Sequence, residues 1–248
     1  MYNLNDIIGY KIHATDGYLG KVIDFFFDDE SWTIRYIVVD TDSLTKGRKV
    51  LLSTVALGIP DKETFSFPAK INCDQVINSP DINTQKPVYR KHEIGLFKHY
   101  SWPVYWGTEY YSSRTFGTNT ESVESGKETK QPEGTTQEDQ HIRSTNIIRD
   151  YHIQAINGDI GHVDDYIYDP ETWKILYIVV KTRNWLPGRK VLISPEWIKE
   201  VKWTENKLIA NLTQDSIRKS PVYEHTRPLT KDYIAKLHQH YERSWIHY

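Results

Sequence analysis

The sequence predicts a mainly β protein made of two tandem small β-barrels, each followed by short helices and joined by a flexible linker. Three observations lead to this prediction. The first part of the 248-residue chain recurs in the second part at a constant offset of 141 residues. Within each copy, short runs of β-branched and aromatic residues alternate with turn signals, which is typical of small barrels. Between the copies lies a polar segment almost free of aliphatic residues, which is typical of a linker.

The repeat is clearest in one octet. Residues 46–53 read KGRKVLLS, and residues 187–194 read PGRKVLIS. At the same offset, residues 28–41 (DDESWTIRYIVVDT) align with residues 169–182 (DPETWKILYIVVKT). About half of the positions from 7 to 53 are identical to their equivalents, far more than average residue usage would give by chance. We therefore interpret the chain as a tandem duplication.

Three segments follow from the duplication. The first copy is predicted to span residues 1–107 and to end in an aromatic helical tail. The second copy is predicted to span residues 142–248 and to end in an amphipathic helix. Residues 108–141 are the predicted flexible linker, because their Ser, Thr, Gly, Glu and Gln cannot bury enough apolar surface to offset the entropy of ordering.

Each strand of a copy has its own signal. Residues 10–28 place an Asp-Gly turn between two apolar runs, which predicts a hairpin. The runs WTIRYIVVD and WKILYIVVK are dense in β-branched and aromatic residues, and each predicts a strand buried on at least one face. A loop that ends in glycine leads into the GRKVL strand, and residues 198–212 predict a further hairpin.

Two helices are predicted to follow the strands of the second copy. Thr213 precedes the segment QDSIRKS, which predicts a short capped helix that a proline ends. Thr230 is predicted to cap a longer helix, in which Tyr233, Leu237 and Tyr241 recur every four residues. The first copy keeps part of this pattern, so we expect both copies to end in an amphipathic helix.

Composition and charge exclude several classes of function. The formal net charge is −2, which gives no basic footprint for nucleic acid or an anionic membrane. No apolar run reaches the length of a membrane-spanning helix, and the N-terminal residues lack the features of a signal peptide. We therefore expect a cytoplasmic protein with no integral membrane segment. Cys73 is the only cysteine, which excludes an intramolecular disulfide and a cysteine-based zinc site.

No catalytic constellation is visible in the sequence. Acidic residues recur at equivalent positions, namely Asp24, Asp28 and Glu30 in the first copy and Asp165, Asp169 and Glu171 in the second. Along an extended strand, Asp24 and Asp28 would lie about 13 Å apart, too far to share a metal ion, so we interpret these groups as solvated hairpin ends. The sequence contains no glycine-rich phosphate loop and no nucleophile motif. We expect no enzyme activity, no cofactor and no metal site.

The order of these elements resembles the PRC-barrel family, which includes the cytoplasmic domain of the photosynthetic reaction-centre H subunit and part of the ribosome-maturation factor RimM. The matching motifs are the Asp/Asn-Gly-x-x-Gly hairpins at residues 16–20 and 157–161, the YIVV strands and the GRKVL strands. Residues 212–221 resemble the family's short helix after the barrel, and residues 96–106 resemble the aromatic extension of bacterial tandem members. The resemblance covers both copies and implies a PRC-type barrel in each.

The resemblance implies a role less directly, because the chain differs from both named relatives. H subunits carry a transmembrane helix before the barrel, and RimM carries a separate N-terminal domain. Our leading hypothesis is a non-enzymatic adaptor that binds a protein partner and whose two barrels pair as a pseudo-dimer. Two alternatives stay open. One is an accessory factor of RimM type that reaches RNA through the ribosome, and the other is an accessory to a photosynthetic or electron-transfer membrane complex of H-subunit type.

Candidate partner-contact residues fall into the basic pairs of the repeated octet and the aromatic tails. They are Arg48, Lys49, Arg189, Lys190, Trp102, Tyr105, Trp106 and Trp245. For the basic pairs, a structural role at the start of a strand is favoured, because neighbouring strand residues point to opposite faces and form no single patch. For the tails, packing onto a barrel is favoured over exposure, because large exposed rings promote aggregation.

Overall fold

The computed structural model describes residues 1–45, 47–81, 88–106, 141–182 and 188–242. Within these residues the fold is mainly β, as predicted, with thirteen strands in two mixed sheets. Almost all of the predicted linker lies outside the described residues, so its flexibility and the division of the chain at residues 107 and 142 stay predictions.

The first copy contributes six strands. They are β1 (Tyr2–Asn3), β2 (Lys11–His13), β3 (Tyr18–Asp28), β4 (Thr33–Asp40), β5 (Lys49–Ser53) and β6 (Ser66–Pro68). Five of them form a sheet in the order β5-β4-β3-β2-β6, with antiparallel pairing except between β2 and β6. The predicted hairpin is therefore β2–β3, and the YIVV run lies in β4, where its side chains are buried.

The second copy contributes seven strands. They are β7 (Ile142–Ser144), β8 (His152–Ala155), β9 (Gly158–Tyr168), β10 (Ile175–Thr182), β11 (Lys190–Ile193), β12 (Ile198–Lys202) and β13 (Lys207–Ala210). Five of them, in the order β11-β10-β9-β8-β13, repeat the arrangement of the first copy, and β12 extends this sheet beyond β13. The predicted hairpin at residues 198–212 is formed by β12 and β13.

One glycine of each copy is required by close packing of two strands. A Cβ atom on Gly20 would overlap the backbone carbonyl of Asp40, and one on Gly161 would overlap that of Lys181. Side chains at these positions would push β3 away from β4 and β9 away from β10. This close approach explains why the same glycine occurs in both hairpins.

Helices in the described residues are short. They are α1 (Leu4–Ile7), α2 (Asp42–Thr45), α3 (Cys73–Ile77), α4 (Arg90–Tyr100), α5 (Thr145–Ile148), α6 (Gln214–Lys219) and α7 (Lys231–His240). The predicted caps are confirmed, because the hydroxyls of Thr213 and Thr230 accept hydrogen bonds from backbone N–H groups in the first turns of α6 and α7. In the described part of the chain, no helix has the length and apolar character needed to cross a membrane.

The first strand of each copy pairs with a strand of the other copy. β1 lies antiparallel to β9, with Tyr2 opposite Tyr168. β7 lies antiparallel to β3, with Ser144 opposite Phe26. The two exchanges are equivalent under the repeat, since β1 corresponds to β7 and β3 to β9. The copies are therefore joined by a reciprocal strand exchange as well as by side-chain packing.

Candidate functional site

A second reciprocal contact joins the β3–β4 hairpin end to the β9–β10 hairpin end. The backbone N–H of Ile34 donates to the carbonyl of Trp173 at 2.8 Å, and the N–H of Ile175 donates to the carbonyl of Trp32 at 2.8 Å. Both tryptophans adopt a left-handed backbone, with φ of 52° at Trp32 and 61° at Trp173, which is uncommon for a bulky residue. Equivalent residues thus make equivalent contacts across the interface.

The rings of these tryptophans are buried. Trp32 stacks on Phe27 with ring centroids 5.1 Å apart, and Trp173 stacks on Tyr168 at 5.4 Å. Trp173 also lies 6.0 Å from the ring of Phe67 in the other copy. Aromatic burial of this extent is a dominant source of stability at an interface. The structure therefore places the copies in an intimate apolar contact.

A buried carboxylate caps the segment exchanged by the second copy. Asp24, which is 8% exposed, accepts hydrogen bonds from the hydroxyls of Ser144 and Thr145 at 2.5 and 3.0 Å. It also accepts from the backbone N–H of Asn146 at 3.2 Å. The interpretation of Asp24 as a solvated hairpin end is therefore wrong, because its carboxylate faces the other copy.

The equivalent carboxylate of the second copy, Asp165, contacts the segment exchanged by the first copy. Asp165, which is 4% exposed, accepts hydrogen bonds from the backbone N–H of Asn5 at 3.1 Å and from that of Tyr166 at 2.8 Å. Burial raises the pKa of Asp165 to about 6, because these hydrogen bonds only partly offset the loss of water. Asp165 is likewise an interface residue and not the solvated group that its position in the hairpin suggested.

Replacing Asp165 is expected to change the pH dependence of stability. Its pKa is about 6 in the folded chain, above the ordinary value of 3.8, so folding favours the protonated form and stability falls as the pH rises from about 4 to about 6. Asp165→Asn should reduce this slope by roughly 1 kcal/mol per pH unit and should stabilise the protein at pH 7. Urea denaturation across this pH range measures the effect.

The matched control for this change is Asp159→Asn, which removes an exposed carboxylate from the same strand. Asp159→Asn should leave the pH dependence of stability the same as in the wild type. Some slope should remain in Asp165→Asn, because burial also raises the pKa of Asp29 to about 6 despite the guanidinium of Arg143 at 3.0 Å. Equal slopes in the wild type and Asp165→Asn would contradict the prediction.

An intercopy groove of about 800 Å³ opens beside this interface. Its buried lining includes Trp32 from the first copy and Ile175 and Tyr177 from the second. Six carboxylates border it, namely Asp29, Glu30, Asp169, Glu171, Glu196 and Glu200. Lys174, Lys199 and the N-terminal amine of Met1 are also present, so the lining carries three more acidic than basic groups. The intercopy groove therefore combines an apolar interior with an acidic border.

The carboxylates of the acidic border do not cluster around one point in the part of the chain that the structure describes. Within the described ranges, no three His, Cys, Asp or Glu side chains are arranged to hold a metal ion. The carboxylates are spread along the groove and belong to both copies. Such a spread does not converge on one ion.

A smaller groove of about 540 Å³ occupies the equivalent place on the first copy. It is lined by Trp173, Arg35, Val55 and Ile59, which correspond at the 141-residue offset to Trp32, Leu176, Glu196 and Glu200. Val55 and Ile59 are exposed, so the smaller groove has apolar side chains at the positions where the intercopy groove has Glu196 and Glu200. The duplication thus kept the interface and changed the chemistry of the two grooves beside it.

The aromatic tail of the first copy packs onto its own copy as far as it is described. Trp102 stacks on Tyr100 with ring centroids 4.1 Å apart, and Trp106 lies 4.8 Å from the ring of Phe97. The ring of Tyr105 lies 3.9 Å from the guanidinium carbon of Arg35. The three tail residues are half-buried, which agrees with the favoured interpretation of the tail as a cover.

A buried glutamate holds this tail in place. Glu93, which is fully buried, accepts hydrogen bonds from the hydroxyls of Tyr36 and Tyr105 at 2.7 and 2.6 Å. The guanidinium of Arg90 donates to its other oxygen at 2.7 Å. Burial raises the pKa of Glu93, while Arg90 and the two hydroxyls favour its charged form. The tail is therefore held by a buried hydrogen-bond network centred on Glu93.

Sequence reasoning missed Glu93, although the repeat offered a clue. The equivalent position in the second copy is Ile234, so a charge replaces an aliphatic residue in one copy only. There the hydroxyl of Tyr177 instead lies 2.9 Å from the Nε2 atom of His238. Each copy thus supplies one polar partner to the tyrosine of its YIVV strand, from different positions of the last helix.

The two arginines of the repeated octet anchor the helix after the barrel strands. Arg48 donates to the backbone carbonyls of Ile77, at 2.7 Å, and Ser79, and its guanidinium lies 2.6 Å from Asp81. Arg189 donates in the same way to the carbonyl of Ser220. The GRK motif therefore occurs twice because each copy uses its arginine to hold the same helix end.

The other candidate contacts differ in their surroundings. Lys190 forms an ion pair with Asp164 at 2.6 Å. Lys49 is exposed on the short strand β5. Trp245 lies outside the described residues. Contact of any of these residues with a partner stays a prediction.

Arg48→Ala is expected to lower the free energy of unfolding by about 1–2 kcal/mol, because it leaves backbone carbonyls at the end of α3 without their charged donor. Lys49→Ala, at the next position, should change stability by less than about 0.5 kcal/mol. Chemical denaturation of the two variants compares them directly. A loss of stability in Arg48→Ala as small as that in Lys49→Ala would contradict the anchoring role of Arg48.

Comparison with known families agrees with this architecture. Residues 1–64 match the family model of the PRC-barrel domain, which confirms the predicted family for the first copy. No curated protein sequence matches the chain. The second copy is related to the first by the internal repeat and by its equivalent strand order.

Proposed function

We propose that the chain is a non-enzymatic adaptor in which the two copies pair as an intramolecular pseudo-dimer and bind a protein partner at the intercopy groove. The groove itself carries this proposal, because both copies line it and because it has an acidic border that the smaller groove lacks at the equivalent positions. A groove with an apolar interior and a charged border is the usual form of a peptide- or protein-binding surface.

The buried ionisable groups near the interface support a structural use over a catalytic one. Asp24 is engaged by donors from the exchanged segment, and Glu93 by Arg90 and two tyrosines. A general base or nucleophile needs a reactive group that faces a substrate site. Both carboxylates instead complete closed hydrogen-bond networks.

The acidic border also bears on the alternative functions. Carboxylates repel phosphate, so direct RNA binding at this groove is disfavoured. A basic ribosomal protein would fit the same charge, and a role of RimM type through such a protein remains an alternative. An accessory role in a membrane complex of H-subunit type has no equivalent support from the groove. We propose a cytoplasmic location for the adaptor.

A tagged pull-down from the native cytoplasm tests the proposal, with half of the extract treated with nuclease. A protein partner retained after nuclease treatment supports the adaptor. Loss of all captured proteins on nuclease treatment would favour the RNA-linked alternative instead. Mixing the purified captured protein with the wild-type chain must then reproduce the complex, and failure to do so would contradict direct binding.

A further inference from the structure

We infer that the intercopy groove binds an extended peptide segment that carries Lys or Arg side chains around an aromatic or aliphatic anchor. This inference deepens the proposed function by naming the chemistry of the partner. It rests on the charge of the groove, on its apolar interior and on a comparison with the first copy.

The charge of the lining selects a cationic partner. Six carboxylates face two lysines and the N-terminal amine of Met1 around the groove, and Glu30, Glu171, Glu196 and Glu200 are exposed to solvent. They project from both copies, so they border the groove on more than one side. Complementary charge steers a basic segment to this surface and rejects an acidic one.

The interior of the groove selects an apolar anchor. In the first copy, the ring of Tyr105 lies against Arg35 and donates its hydroxyl to Glu93 beside Tyr36. At the equivalent positions the second copy has Leu176 and Tyr177, and both line the intercopy groove. The first copy thus shows that this place accepts an aromatic side chain, and Leu176 makes the second copy's version more apolar.

Where the first copy has Val55 and Ile59, the second copy has Glu196 and Glu200, whose charges can pair with the cations of a bound segment. These two glutamates lie four residues apart in the chain, and both line the groove together with Tyr177. An anchor held near Leu176 would leave flanking cations within reach of them. A volume of about 800 Å³ accommodates an anchor side chain with its flanking residues.

The probe for this inference is a fluorescein-labelled peptide of sequence Lys-Tyr-Lys-Leu-Lys-Tyr, with Glu-Tyr-Glu-Leu-Glu-Tyr as its matched control. Fluorescence anisotropy with the full chain at two salt concentrations measures binding. The lysine peptide should bind, and more weakly at the higher salt concentration, while the glutamate peptide should not. Equal binding of the two peptides would overturn the inference.

Two variants locate the binding. The double variant Glu196→Gln with Glu200→Gln should weaken binding of the lysine peptide by roughly three- to tenfold, since each exposed ion pair contributes little to the affinity on its own. Leu176→Arg, which installs the first copy's residue, should weaken it by about tenfold or more through repulsion and loss of the apolar contact. Glu63→Gln with Glu224→Gln removes the same charge elsewhere and should leave binding unchanged. If this control pair weakens binding as much as the groove pair does, only general charge attraction is at work.

Two further results separate this inference from the proposed function. A pulled-down partner that binds the groove variants as well as the wild type would overturn the groove as its site and leave the adaptor role standing. A chain ending at Glu242 tests whether residues 243–248 take the place of a partner. If only that shorter chain binds the lysine peptide, the groove belongs to the chain's own terminus and the inference of an external segment is wrong.

Discussion

Replacing Trp173 by alanine is expected to lower the free energy of unfolding by about 3–5 kcal/mol, among the largest effects of any single change in this protein. The ring is buried between Tyr168 of its own copy and Phe67 of the other. Its removal leaves a cavity at the interface while the carbonyl that binds Ile34 stays in place. Urea denaturation followed by circular dichroism measures the loss.

The control for this change is Trp203→Ala, which removes a half-buried ring of the second copy that lies 4.3 Å from the guanidinium of Arg143. It should lower stability by about 1–2 kcal/mol at most. Equal losses in the two variants would mean that Trp173 contributes only ordinary packing.

Trp173→Ala also tests how firmly the two copies are joined. A protease site inserted within residues 112–140 allows the folded chain to be cut between the copies. The cut wild type should elute from a sizing column as one particle, because exchanged strands and buried rings hold the halves together. The cut Trp173→Ala protein should dissociate at a lower urea concentration. Separation of the cut wild type in buffer would contradict the pairing.

Glu93→Ala is expected to lower the free energy of unfolding by about 3–5 kcal/mol, because it leaves the Arg90 guanidinium without its acceptor in a buried site. The hydroxyls of Tyr36 and Tyr105 lose their acceptor as well. The ring of Tyr105 should then leave its place, which tryptophan fluorescence of the tail would report together with denaturation.

Glu93→Gln serves as the comparison, since its amide oxygen can still accept one of these hydrogen bonds. Its loss of stability should be smaller than that of Glu93→Ala. Exposed Glu224→Ala, which removes a carboxylate from the surface, should have an effect within about 0.5 kcal/mol. A small effect of Glu93→Ala would show that the network does not hold the tail.

Much of the fold could be predicted from the sequence because its signals are local. The YIVV runs are buried strands, and Thr213 and Thr230 cap helices as their positions predicted. The repeat added what one copy could not show, since equivalent residues such as Gly20 and Gly161 identify a shared backbone requirement. Periodicity and capping depend on near neighbours, so they can be recognised without knowledge of the tertiary contacts.

The site could not be predicted in the same way because it depends on contacts between distant residues. Asp24 and Asp165 have the spacing of hairpin ends, and only the other copy buries them. The strands β1 and β7 are too short for their sequences to predict which strands they pair with. The acidic border likewise arises because carboxylates from residues 29–30, 169–171 and 196–200 meet in space. Charge patterns along the chain give no measure of that convergence.

The reciprocal strand exchange also fixes an order of events during synthesis. β1 is translated first, but its partner β9 ends at Tyr168, so the N-terminal strand waits until about the first quarter of the second copy has left the ribosome. The edge of β3 at Phe26 stays unpaired until Ser144 is made. Such long sequence separations slow folding and leave strand edges open to pairing with neighbouring chains. A nascent chain of this protein is therefore most prone to intermolecular exchange before β7 and β9 of its second copy have emerged.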